Sequence, residues 1–293
     1  MKKDTNLFRF VLVWTTVILS ISCSSDGKKE DSLVDVLLEP VVFTAIGDVP
    51  YGEWQRDSIL NVIAAHNIRA NSEFVIHLGD IKTGQTACTD AAYKDASDIL
   101  KMFQVPTFIV LGDNEYNDCI NPDEAFALWN SYFFKFNTNW TFTPTIAYQP
   151  ERPENFSWIQ RKVLFLGINI VGSSVHDAQE WETRLTDDAN WVKQHLETEK
   201  EKINAVVVFG HANITEGDPT KFKPFTDVFR NAAATFGKPI LYLQGDGHLW
   251  FTNKPWPEKN ITRVQIDGGH RAVEVTVDPN KKNPFSYNRT FLD

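Results

Sequence analysis

Five times along this chain a short apolar run, rich in β-branched residues, is closed by glycine and then by aspartate or histidine. The runs 41–46, 74–78 and 107–111 lead into Gly47-Asp48, Gly79-Asp80 and Gly112-Asp113, while 205–209 leads into Gly210-His211 and 240–243 reaches Gly245-Asp246-Gly247-His248. A run that is apolar at successive positions has no polar face, so each reads as a strand covered on both sides. Helix-length amphipathic stretches lie between them, at 55–69, 90–103, 123–134, 181–200 and 222–234. In the fourth, Leu185, Val192 and Leu196 recur near helical spacing beside Trp181 and Trp191, an ordinary core stripe. Residues 156–160 and 162–167 read as two strands around Arg161, and strands near 262–267 and 271–277 close the domain. Alternating strands and helices predict an α/β fold with a layered αββα arrangement. No Gly/Ser linker interrupts the body, so residues 40–293 read as one domain.

The strand ends carry the chemistry. One Gly-Asp after a strand is a routine helix cap, because the carboxylate accepts a first-turn N–H. Five such turns in one chain, supplying four aspartates and two histidines, instead form the donor set of divalent metals. Two ions roughly 3.5–4 Å apart can clamp an in-line phosphoryl displacement. The balance of 29 basic against 38 acidic residues, a net charge of −9, repels polyanions and excludes a binder of nucleic-acid backbones. Phosphate chemistry on such a chain needs cations.

In their order and approximate spacing, Gly47-Asp48-Val49-Pro50, Gly79-Asp80, Gly112-Asp113-Asn114-Glu115, Gly210-His211 and Gly245-Asp246-Gly247-His248 resemble the signature of the calcineurin-like metallophosphoesterases. The resemblance implies an αββα β-sandwich flanked by helices and a hydrolase in which metal-activated water attacks a phosphomonoester or phosphodiester. It implies two divalent metals, with Asp80 bridging, Asp48 and His248 on the first, and Asp113, His211 and Asp246 on the second. This chain departs from the family pattern at several places. Pro50 stands where a ligating histidine is usual and has no side-chain donor. Asp113 and Asp246 replace an asparagine and a histidine but still offer oxygen. Asn114 replaces the histidine that stabilises phosphate and helps the leaving group, which predicts slower turnover or leaving groups that need no proton. These losses keep open a second reading, a catalytically silent binding or scaffold protein of the same fold.

Four aspartates bring the charge of a two-dication site to about zero, less than the family's two carboxylates leave. Lys82, two residues after Asp80, is placed to return one positive charge and touch a phosphate oxygen, or else to pair with Asp80 or a neighbour. Oxygen-rich ligation favours Mn²⁺, Mg²⁺ or Ca²⁺ over Zn²⁺, with iron admitted. Tyr51, Tyr116 and Asn213 flank the turns and either line the pocket or pack around it. Glu115 reads as an orienting group or cap, His66, His77, His176 and His195 as structural or surface residues, and His270 receives no role.

At the other end, Lys2, Lys3 and Arg9 precede the apolar run 10–19 and then small residues up to Cys23, a secretory signal too short to span a bilayer comfortably. It resembles a bacterial lipoprotein signal, with residues 1–22 removed, Cys23 lipidated and 23–39 forming a polar tether. Ser24 after the cysteine then favours an outer-membrane destination on the periplasmic or surface side. Ordinary secretion with nearby cleavage is the alternative. With Cys23 as anchor, Cys88 and Cys119 remain in an oxidising compartment, each shortly after one of the Gly-Asp turns. If those turns converge the two sulfurs can form a disulfide; two free thiols are the alternative.

Overall fold

A computed structural model describes residues 37–293 of the chain; the expected signal 1–22, Cys23 and the tether up to residue 36 lie outside the described residues. Successive strand residues turn to opposite faces, and in this protein the two faces meet different partners. On β7 (Ala205–Phe209), Ala205, Val207 and Phe209 enter a cluster between two sheets, whereas Val206 and Val208 meet the helices outside. Unbroken apolar runs follow from that double coverage, and the layered αββα expectation is met.

One sheet has the order β12-β11-β1-β2-β3, built from β1 (Val41–Ile46), β2 (Val75–His77), β3 (Thr107–Ile109), β11 (Val273–Val277) and β12 (Phe285–Asn288). The other runs β4-β5-β6-β7-β8-β10-β9, with β4 (Ala147–Tyr148), β5 (Phe156–Gln160), β6 (Val163–Gly167), β8 (Ile240–Gln244), β9 (Phe251–Asn253) and β10 (Ile261–Gln265). The strands that precede the five turns are parallel to their neighbours, β1 with β2 with β3 and β7 with β8, so their carboxyl ends emerge on a common edge within each sheet. Phe43, Phe74, Phe108, Phe165 and Phe209 fill the space between the sheets at no more than 1% exposure. Burying each contributes about 1.5–3 kcal/mol, and Trp158 stacks on Phe108 and Phe165 at 4.5 and 4.9 Å.

The five expected helices are present with shifted ends. α4 (Ala178–Thr198) starts three residues before the expected Trp181, because the Asp177 carboxylate accepts from Gln179 and Glu180 main-chain N–H at 2.9 and 3.0 Å. α3 (Pro122–Phe133) begins at a proline after the Asn121 cap. α5 (Lys223–Phe236) runs to Gly237, whose left-handed φ of 75° closes it. α1 (Gly52–Arg69) starts earlier than expected, and α2 (Asp90–Leu100) ends before Phe103. No helix of the described residues is long and apolar enough to cross a membrane.

Candidate metal centre

The two sheets are joined at the edge where the turns emerge. His211, after β7, sets its Nδ1 2.6 Å from the Leu78 carbonyl, and the Asp246 N–H, after β8, donates to Asp48 Oδ1 at 3.0 Å. Within one sheet the Asp48 N–H donates to the Gly79 carbonyl at 2.9 Å. Turning so sharply off a strand takes unusual backbone. Asp48, Asp80, Asp246 and His248 all have left-handed φ values, of 54°, 65°, 69° and 52°. Such a conformation costs a non-glycine residue about 1 kcal/mol or more and persists where surrounding structure enforces it. Gly112 lies so close beneath Asp80 that a Cβ there would meet the Asp80 nitrogen at 2.2 Å.

Two groups of ligand atoms result. Asp48, Asp80 and His211 each offer one within 4.8 Å of the others, and so do Asp113, His211 and Asp246. His211 Nε2 lies 3.0 Å from Asp113 Oδ1 and 3.4 Å from Asp80 Oδ1. His248 stands at the rim, its side chain 51% exposed and its Nε2 3.2 Å from Asp48 Oδ1. Five of the six residues expected as ligands therefore fall in these two groups, and His248 stands beside Asp48. His211, expected with the second group only, adjoins both.

The donors fit divalent cations. Because Nδ1 of His211 carries the proton that the Leu78 carbonyl accepts, Nε2 is left facing the carboxylates. His211 Nε2 and Asp48 Oδ2 are both buried without a hydrogen-bond partner. Burial pushes the Asp80 carboxyl well above the usual range, with Glu115, Asp113 and Asp48 adding to the rise against a counter-pull from His211. Burial likewise raises Asp246. At His211 burial lowers the pKa, but Asp80 and Asp113 more than offset it. A cage that draws protons so strongly draws dications for the same reason. Main-chain groups hold its walls: Gly172 N–H donates to Asp113 Oδ1 at 3.2 Å, and Asn213 N–H to Asp246 Oδ2 at 3.1 Å.

Around this cage the flanking residues divide. Tyr51 donates its hydroxyl proton to Asp80 Oδ2, and burial followed by the Asp80 charge pushes its pKa up, so it stays a neutral donor. Asn114 presents Nδ2 to Asp80 Oδ2 and, at 2.8 Å, to Tyr51 Oη. Tyr116 instead packs near Arg184 and reaches Glu180. Lys82, expected to touch a phosphate oxygen or else to pair with Asp80 or a neighbour, has its Nζ donating to the main-chain carbonyls of Asn114 and, at 3.3 Å, Thr83. Glu115 accepts three main-chain N–H groups, as an orienting group does. His77 is structural, with Nδ1 accepting from Gly79 N–H and Nε2 facing the Val49 carbonyl at 2.8 Å.

Cys88 and Cys119 are joined across 31 residues, and both sulfurs lie near the Asn114 carbonyl. The bond thus braces the loops after Asp80 and Asp113. Loop-closure entropy puts its contribution at about 3–4 kcal/mol. The Cys88→Ser/Cys119→Ser double variant is expected to lose that much in urea unfolding.

The family model described as calcineurin-like phosphoesterase matches residues 41–251. The fold is similar to the crystal structure of a dimetal phosphatase from Danio rerio, at TM-score 0.56 and 13% identity over 85% of this chain and 99% of that one. It is also similar to GAP50, the anchor in the inner membrane complex of Plasmodium, at TM-score 0.51 and 15% identity over 85% and 88% of the two chains. A 5'-nucleotidase from Candida albicans matches at TM-score 0.51 and 13% identity, over 85% of this chain and 50% of that one. Comparison with curated proteins returns no match.

Proposed function

Because the chain belongs to the calcineurin-like phosphoesterase family, whose chemistry is hydrolysis of phosphoester bonds, we propose a cell-envelope phosphoester hydrolase whose centre is Asp48, Asp80, Asp113, His211, Asp246 and His248. The observation that carries this reading is His211, its Nδ1 pinned to Leu78 and its Nε2 set among carboxylates from both sheets. Two divalent cations bound there would acidify a water and polarise a phosphoryl oxygen. An imidazole nitrogen has one lone pair, so His211 would hold one ion, with Asp113 and Asp246. Asp48 and His248 would hold the other, and Asp80, with two oxygens, could serve both. The Tyr51 hydroxyl and Asn114 amide orient Asp80 through hydrogen bonds. The signal-like segment 1–22, Cys23 and the disulfide support export and anchoring at the outer membrane.

The competing scaffold reading draws on Pro50 and on Asn114, whose amide replaces a potential acid. Metal titration separates the two. Purified protein is expected to bind two Mn²⁺ per chain and to hydrolyse 4-nitrophenyl phosphate or its bis-ester, with loss in EDTA and recovery on adding Mn²⁺. Its stability is expected to rise by about 2.7 kcal/mol for each bound ion at a hundredfold excess of Mn²⁺ over Kd. A raised carboxyl pKa means the ion must displace a proton, so apparent affinity falls as pH falls from neutral to mildly acid. Absence of bound metal and of turnover would reject the hydrolase in favour of the scaffold.

A further inference from the structure

Beside the carboxylate cage lies a cavity of about 300 Å³ with Asp48 and His248 in its wall. Its other side is formed by Trp54, Gln55 and the loop through His270 and Arg271. Trp54 is 66% exposed, whereas the other described tryptophans are buried or half-buried.

Two features hold this indole in place. It sits in the first turn of α1, which starts directly after the turn that carries Asp48, and the Tyr51 N–H donates to Gln55 Oε1 at 2.8 Å. Opposite, the Gly269 N–H donates to the carbonyls of Gly47 and Asp48 at 2.9 and 3.2 Å. Gly268 is needed there, since it has φ of 71° and a Cβ would meet Asp48 Oδ2 at 2.8 Å. The loop so tied sets His270 edge-on to Trp54, ring centres 5.1 Å apart. Arg271, its side chain 63% exposed, stands at the same rim paired with Asp267 at 3.6 Å. The aromatic wall and the cage are thus fixed to one turn.

We propose that Trp54 is a specificity-determining residue: its indole stacks on a planar ring in the leaving group of the phosphate ester, so the preferred substrates are aryl phosphates or nucleotides. The inference rests on the phosphoesterase reading and adds the substrate class. Stacking of a base on an aromatic side chain is worth about 1–3 kcal/mol by alanine substitution.

Unreactive phosphonates test it by calorimetry on the full chain with Mn²⁺ present. Benzylphosphonate is expected to bind about 10-fold tighter than methylphosphonate. That ratio is expected to collapse toward one in Trp54→Ala and to return in Trp54→Phe, which a merely structural role would not produce. A ratio near one in the natural protein, a ratio untouched by Trp54→Ala, or no binding of either probe overturns the proposal. An adenosine 5′-phosphonate run in parallel assigns the ring to a nucleotide base or to a simple arene, according to which binds tighter. Hydrolysis of 4-nitrophenyl phosphate is scored separately. Preference without turnover defeats the hydrolase reading and with it the assignment of a substrate, leaving Trp54 only as a ring-binding residue, and turnover without preference defeats the role of Trp54 alone.

Discussion

Asp80→Asn is expected to lower kcat/KM for 4-nitrophenyl phosphate by at least about 10²-fold, the effect of losing one well-placed electrostatic group at a reacting centre. Both Asp80 oxygens are engaged. Oδ1 accepts the Asn114 N–H at 3.0 Å and lies 3.4 Å from His211 Nε2, and Oδ2 accepts from the Tyr51 hydroxyl and the Asn114 amide. An amide has one oxygen, so its NH₂ must face either the Asn114 N–H or the two donors at Oδ2. The change therefore removes a charge from the group formed with Asp48 and His211 and sets donor against donor. Asparagine tolerates the left-handed backbone that residue 80 adopts, φ 65°, so the variant is expected to fold. Circular dichroism checks the fold, elemental analysis should show fewer than two Mn²⁺ retained, and activity within threefold of the natural protein would remove Asp80 from the bridging position.

The placement of the six ligand candidates was legible because it is a local property. A buried strand that ends in Gly-Asp or Gly-His delivers a polar side chain at a sheet's carboxyl edge, and parallel neighbours bring such ends together. Contacts that cross the chain were not legible in the same way. Lys82 sits two residues from Asp80, but its Nζ goes to the Asn114 carbonyl because the loop bound by the disulfide brings that carbonyl beneath it. The main-chain donors Gly172 and Asn213 carry no side-chain signal at all. The edge strands β4, β9 and β12 went unseen because they are short and mostly half-buried or exposed, with no apolar run to mark them. The starts of α3 and α4 could have been read from Asn121-Pro122 and Asp177, since capping is as local as the turns are.

Glu115 supplies the second large effect, acting on stability first and on chemistry through it. Its carboxylate is fully buried. Oε1 accepts from Gly112 and Asp80 N–H at 2.6 and 3.2 Å, and Oε2 accepts from Ile81 N–H at 3.2 Å. It thereby clamps the turns after β2 and β3, the same two that the disulfide spans. Each hydrogen bond to a charged group contributes about 1.5–3 kcal/mol, and each buried donor left without a partner costs about 1–3 kcal/mol. Burial pushes the Glu115 carboxyl up, so part of this gain is offset by desolvation. Glu115→Ala, which orphans three donors, is expected to lose about 5 kcal/mol, more than removal of the disulfide. Glu115→Gln can keep the pair at one oxygen and orphans only the donor facing its NH₂, so it is expected to lose about 1–3 kcal/mol. A graded loss, glutamine less than alanine, distinguishes a clamp made of hydrogen bonds from mere space filling, for which glutamine would be neutral. If the clamp also positions Asp80, Mn²⁺ affinity in Glu115→Gln falls by about 10–100-fold at temperatures where the variant is fully folded. Unchanged Mn²⁺ affinity in a folded Glu115→Gln protein would confine Glu115 to stability and leave the placement of Asp80 to Tyr51 and Asn114.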